Sequence, residues 1–418
     1  MKYLKQLSIY TLVSFLSAGV GFLLMPYLSH FLKPKEYGIL AMVNSLVTIL
    51  IPFVGLTAAG IIKVEYYEQK NKAEFASLFS SVQVLPVLPF IFVCVLSWAL
   101  AIPIANFFEI PADKYYWIPL SCILAFFSIY YETLISYNVT EQKPIVFAIF
   151  ALSRLFIEVG LTVLFITRLG YGWEGRLYSW LIATAVMFVI SILYFKKKQL
   201  LTFNISKKYL RAALGFGLPL ILHVVGKFII NQSDRIFIAK MISIEEAGIY
   251  NIGYQVGTIM LLIVSVVGNS IQPFFYERLA SQTKEAKLEI VKMSYGIIVS
   301  FILMLLMITI ATPTLFSLID DSYTKGTKYV FWVGLSYFFW GVYLLFSGYI
   351  FFTKKTKFLG YLAIFNVLLN AGLNYLLIKN YGAIGAAWAT CISFFVVALL
   401  TAIEANKRVK LPWIFFIK

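Results

Sequence analysis

The chain has 418 residues, 61% of them hydrophobic and 13% charged, with a formal net charge of +16. Together with a mean hydropathy of +0.86, this composition excludes an ordinary soluble domain and predicts an integral membrane protein. In a soluble protein the basic excess would suggest a nucleic-acid partner; here its placement assigns it to membrane topology, and no nucleic acid is implied.

Twelve apolar spans are predicted in chain order, at about 7–30, 38–62, 75–101, 115–136, 144–167, 175–195, 212–238, 248–272, 291–318, 327–351, 358–378 and 384–404. All are expected to be helical. Hydrocarbon leaves no partner for open backbone groups, and the runs are too long for barrel strands. The first follows only Lys2 and Lys5 and lacks a small-residue cleavage site, so it reads as a transmembrane helix and not a signal peptide. Placing the N-terminus in the cytoplasm puts 23 of the 35 Lys and Arg residues on that side and nine on the other, with Arg154, Lys227 and Arg235 inside spans. That bias predicts a multi-pass membrane protein with both termini cytoplasmic.

Charge inside the spans is the sharper signal. In the fifth span Arg154 and Glu158 stand four residues apart, a spacing that allows an intrahelical ion pair or a contact to cargo or a coupling ion. Lys63, at the cytoplasmic end of the second span, is an interfacial anchor or an entrance contact. The seventh span carries His223, Lys227, Asn231, Asp234 and Arg235. At about 100° per residue these five occupy roughly one third of the helix circumference, and they extend about 18 Å along it. A lipid-facing charge at that depth costs on the order of 3 kcal/mol, so the stripe should face protein or a wet cavity. Asn366, Asn370 and Asn374 stand at i, i+4 and i+8 on the eleventh span and read as polar helix-packing contacts.

The chain also repeats. A shift of 210 positions lays Glu36-Tyr37-Gly38-Ile39 on Glu246-Ala247-Gly248-Ile249, and Tyr171-Gly172-Trp173-Glu174-Gly175 on Tyr381-Gly382-Ala383-Ile384-Gly385. Six helices per repeat is an even number, so the copies are parallel. The expected organisation is a six-helix bundle over 1–195, a basic cytoplasmic linker over 196–211 and a second six-helix bundle over 212–418, arranged around a central cavity. Both bundles are all-α, and the architecture is that of a transporter.

Enzyme signatures are missing: no Ser-centred elbow, HExxH or Walker loop occurs. Cys94, Cys122 and Cys391 are scattered singly, so neither a metal site nor a disulfide framework is predicted.

Taken together, Pro26, Leu32-Lys33-Pro34-Lys35-Glu36-Tyr37-Gly38, Asp234-Arg235, Glu246-Ala247-Gly248-Ile249-Tyr250, Asn366, Leu369-Asn370, Asn374 and Tyr381 to Thr390 resemble a known pattern. The chain resembles bacterial oligosaccharide and polysaccharide flippases, the Wzx-like branch of the multidrug/oligosaccharidyl-lipid/polysaccharide exporter superfamily. The resemblance covers essentially the whole chain. It implies a non-enzymatic carrier that moves an undecaprenyl-pyrophosphate-linked oligosaccharide, destined for O-antigen, capsule or another polymer, to the outer face by alternating access. It also implies membrane lipids and the glycan polymerase and chain-length machinery as partners, no cofactor, and Na+ or H+ as the coupling ion. Lys227, Arg235, Arg154, Lys63, Asn231 and His223 would then contact cargo. Asp234 and Glu158 would bind the coupling ion, pairing with Arg235 and Arg154 when ionised. The rival expectations are a cation-coupled multidrug exporter and an integral-membrane glycosyltransferase or polymerase.

Overall fold

A computed structural model describes residues 2–68, 71–281, 283–353 and 357–413. Of the cations used for orientation, Lys70, Lys354, Lys355 and Lys418 lie outside the described residues, as do the side chains of Lys2 and Lys5. Twelve helices are long and apolar enough to cross a membrane: α1 Ile9–Ser29, α2 Pro34–Gly55, α3 Lys72–Ala99, α4 Trp117–Thr140, α5 Pro144–Arg168, α6 Gly172–Lys197, α7 Lys207–Met241, α8 Ile244–Ser281, α9 Lys284–Phe316, α10 Asp321–Phe352, α11 Lys357–Tyr381 and α12 Ile384–Arg408. Among the described residues there is no β-strand. The fold is all-α and multi-pass, with every predicted span present.

The helices divide into two compact units, Met1–Phe228 and Ile229–Lys418, the division falling inside α7. The segment read as a basic linker is shorter than its predicted bounds, because α6 continues to Lys197 and α7 begins at Lys207. Backbone groups of this connection are tied to the start of α3. Ser80 Oγ donates to the Leu200 carbonyl at 2.9 Å and accepts from Thr202 N at 2.7 Å, and Ser81 Oγ accepts from Ser206 N at 3.0 Å.

Within the first unit α2 packs on α4, α4 on α6 and α5 on α6; within the second, α8 packs on α10, α10 on α12 and α11 on α12. These are the same pairings six helices apart, as a parallel repeat requires. The hairpin glycines repeat too. Gly172 (φ 53°) and Gly382 (φ 70°), 210 residues apart, both occupy the left-handed region that admits glycine without a Cβ penalty.

Hydrocarbon solvates apolar side chains as well as a protein core does, so packing and polar contacts hold such bundles together. The first unit supplies both. Phe79, Tyr137 and Phe195 meet with ring centroids 4.6–5.7 Å apart, pairs worth about 0.5–1.5 kcal/mol each beyond area burial. Tyr194 donates to Asn138 Oδ1 at 2.8 Å and Tyr130 to the Gln83 carbonyl at 2.8 Å. Beyond the end of α4, Glu141 bridges Lys198 at 2.9 Å and Lys143 at 2.8 Å. Burial pushes its carboxyl up, but hydrogen bonds from Lys143, Lys198 and Tyr137 outweigh that and hold it below the usual range.

Glu36 and Glu174, members of the repeated motifs, have structural roles. Glu36 caps its own helix through Lys33 N (2.9 Å) and reaches Trp173 N (3.2 Å) at the start of α6. Glu174 accepts from Trp117 Nε1 at 2.9 Å, from the Tyr116 hydroxyl and from Lys114 Nζ at 2.6 Å. Both glutamates thus lock helix ends, Glu36 at a position that the repeat shares as Glu246 and Glu174 at one where the second copy has Ile384.

Candidate functional site

The polar stripe of α7 has two parts. His223 and Lys227 are exposed and belong to the first unit; Asn231 is half-buried, and Asp234 and Arg235 are buried in the second. Lys227 and Asn231 also take part in polar contacts of their own.

Asp234 is fully enclosed, yet its carboxylate is not left to hydrocarbon. Tyr250 donates to Oδ2 at 2.7 Å, Thr390 Oγ1 to Oδ2 at 3.2 Å and Asn374 Nδ2 to Oδ1 at 3.2 Å. A second layer supports these donors. Asn370 Oδ1 accepts from Asn374 Nδ2 at 3.0 Å, while its own amide faces Ser393 Oγ (3.3 Å) and Thr390 Oγ1 (3.4 Å). The carboxylate therefore joins α7, α8, α11 and α12. Oδ1 of Asn374 is buried without a hydrogen-bond partner among the described residues. Asn366, about two turns before Asn374, is also buried, and its Oδ1 is likewise unpartnered among them. Asn370 and Asn374 thus reach α12 and α7 by side-chain hydrogen bonds, around a carboxylate.

Arg235 is 4% exposed. Its Nε donates to Asn251 Oδ1 at 3.2 Å and Nη1 to the Asn231 carbonyl at 2.5 Å. The guanidinium lies 3.8 Å from the Tyr254 ring centroid and 5.9 Å from that of Tyr250, cation–π contacts strengthened by desolvation. The Tyr254 hydroxyl is held in turn by that of Tyr337 at 2.5 Å.

The sequence expectation paired both acids with arginines. Among the described residues Glu158 does pair with Arg154, at 3.4 Å, whereas Asp234 and Arg235 form no salt bridge. Adjacent helical side chains diverge by about 100°, so the two address different helices. Asp234 therefore does not hold Arg235, and releasing one would not free the other.

In the first unit Glu158 has a second arginine that the sequence reading left among the loop cations. Arg176 Nη2 lies 2.7 Å from Glu158 Oε1, and its Nη1 donates to Thr162 Oγ1 at 2.9 Å. Arg154 rests 4.5 Å from the Tyr131 ring centroid. Lys63 is exposed on the short helix Gly60–Glu68 that follows α2. Among the described residues no cluster of three or more His, Cys, Asp or Glu side chains could hold a metal ion.

Asn251, Tyr254, Tyr337 and Ser393 escaped the sequence reading, while Tyr250 and Thr390 entered it only as members of the resembling motifs and Arg176 only as a loop cation. Tyr250, Asn251 and Tyr254 did carry a signal: three polar side chains at i, i+1 and i+4, directly after the repeated Glu246-Ala247-Gly248-Ile249 segment.

Two repeated six-helix bundles, with a charged network part-buried in the first and buried in the second, define a class: polytopic membrane transporters. The solved structures agree on the fold. An inward-facing multidrug resistance MATE family transporter of the MOP superfamily has a TM-score of 0.74 and 13% identity, covering 95% of this chain and 94% of that one. The lipid II flippase MurJ in an inward closed conformation has a TM-score of 0.67 and 18% identity, covering 95% and 87%. A Haemophilus influenzae protein of the Lsg locus is 26% identical over 390 residues, 88% of this chain and 90% of the relative. The family model described as polysaccharide biosynthesis protein matches residues 3–279. The chain belongs to the polysaccharide biosynthesis protein family.

Proposed function

We propose that the chain is a flippase for an undecaprenyl-pyrophosphate-linked oligosaccharide, carrying it from the cytoplasmic to the outer face of the inner membrane. The observation that carries this reading is the sign of the charge within the spans. At mid-span the basic Lys227, Arg154 and Arg235 stand against Glu158 and Asp234, with Glu132 further toward the end of α4, and Lys227 is exposed within α7, where a cation facing a wet cavity can meet an anionic head group. A diphosphate is such a head group, and its hydrated glycan needs the same polar route. Lys63 would meet the head group at the entrance and Lys227 would hold it midway, with Arg154 as a further contact for it and His223 and Asn231 contacting the glycan. Arg235, enclosed by its own partners, would act through α8 and not by open contact. The glycan polymerase and chain-length machinery would take up the product.

The Asp234 cluster suits a coupling ion. The two carboxylate oxygens and Thr390 Oγ1 supply hard-oxygen ligands of the kind Na+ takes, a turn of the Asn374 amide would add its Oδ1, and the carboxylate also suits a proton. Asp234, Asn374 and Thr390 would hold the ion, whose charge would stand in for the hydrogen bonds that now tie α7 to α11 and α12. An ion that binds one arrangement of these helices better than another biases the carrier by that difference alone.

Lys227→Ala is expected to cut export of the lipid-linked glycan more than tenfold in a deletion strain, with the protein still in the membrane. Losing one charge-assisted phosphate contact accounts for a change of about that size. Export at the wild-type rate would remove Lys227 from the route.

A further inference from the structure

The first unit carries an arrangement that transport through Lys227 alone does not use. Glu158 on α5 is shared by two arginines, Arg154 one turn before it (3.4 Å) and Arg176 on α6 (2.7 Å). Two guanidinium groups on one carboxylate leave a positive charge uncompensated. Arg154 Nε is buried with no hydrogen-bond partner among the described residues, while both side chains remain a quarter or more exposed, at 25% and 29%. Glu132 lies within electrostatic range of Arg154 and of Lys63.

We propose that Arg154 and Arg176 form a second diphosphate-binding station, resting on the flippase reading above, with Glu158 as a built-in competitor. Guanidinium forks match phosphate oxygens as well as they match a carboxylate. An arriving diphosphate brings more charge and more acceptor oxygens than Glu158, and so displaces it from both arginines. The carboxylate then returns as the head group leaves. A carrier needs such a competitor, because a site must bind well enough to be entered and weakly enough to be left. Arg176 is assigned here as a cargo-binding residue, and Thr162 positions it through Nη1.

The test is binding of undecaprenyl diphosphate, with undecaprenol as the control, to the purified full-length protein in detergent micelles. Glu158→Gln is expected to tighten diphosphate binding and Arg176→Gln to weaken it, each by about tenfold, the size of one charge-assisted contact. Arg176→Lys should restore part of the affinity. Opposite signs are diagnostic, since a purely structural ion pair would lose affinity from either side. Unchanged or weaker binding by Glu158→Gln overturns the station, and if Lys227→Ala still weakens binding in the same assay, the flippase reading survives. No preference for diphosphate over alcohol in the wild type overturns both. Should Arg176→Gln fail to yield monodisperse protein, Glu158→Gln decides alone.

Discussion

Asp234→Ala is expected to abolish transport and to lower the melting temperature markedly, while Asp234→Asn should fold and lose only its response to the coupling ion. The alanine variant leaves three buried donors, Tyr250, Thr390 and Asn374, without their acceptor. A buried donor left without its acceptor typically costs about 1–3 kcal/mol, so three together take a large share of a membrane domain's stability. Asparagine keeps the volume and one acceptor oxygen but carries no charge for a cation to meet. Thermal unfolding in detergent across a Na+ series and a pH series separates these cases. The wild type should be stabilised by the coupling ion, Asp234→Asn should not respond, and Asp234→Ala should melt lower throughout. An Asp234→Asn protein that keeps the wild-type ion response would move the coupling site elsewhere.

The second large effect is expected at Gly385, where α12 passes the backbone of α11. A Cβ there would lie 2.3 Å from the Leu377 carbonyl carbon and oxygen and 2.7 Å from Ile378 N, so Gly385→Ala must push two helix backbones apart. Overpacking of that kind costs about 1–3 kcal/mol or more, and the helices displaced are those that bring Thr390 and Ser393 onto Asn370 and Asn374. The repeat provides its own control. At Gly175 the nearest atoms are 3.1–3.2 Å away, a milder conflict, so Gly175→Ala should be tolerated far better. Expression, melting temperature and export are the readouts. Equal stability of the two variants would show that the close approach of α11 and α12 is not what sets the Asp234 cluster.

Much of this fold is written in the sequence because the bilayer makes helices the only economical solution for long apolar runs. All twelve spans were legible, and the 210-residue shift anticipated both the recurring helix pairings and the paired glycines at 172 and 382. The asparagine stripe and Asp234 were each visible as intramembrane polar residues, but not as one cluster. Asn374 and Asp234 are 140 residues apart, and nothing in either segment tells which helix the other faces. For the same reason Asp234 was paired with Arg235, its neighbour in sequence, although a helix turns adjacent side chains away from each other. Arg176 was hidden differently. Its Cα sits near a span end, where a cation reads as a loop residue, but the side chain is long enough to reach Glu158 inside the bundle. Tyr250 and Tyr254 carry a signal only through their spacing with Asn251; singly, each of the 27 tyrosines in the chain reads as packing in an apolar run.

The most direct measurement is translocation itself. Proteoliposomes containing the full-length protein and a fluorescent undecaprenyl-pyrophosphate-linked oligosaccharide would be challenged with an impermeant quencher after an ion gradient is imposed. The account predicts transfer between leaflets that depends on the protein, is accelerated by the gradient, and falls to the level of empty liposomes in Lys227→Ala. Transfer no faster than in empty liposomes, with the same vesicles expelling a lipophilic organic cation, would contradict it and identify a drug exporter instead.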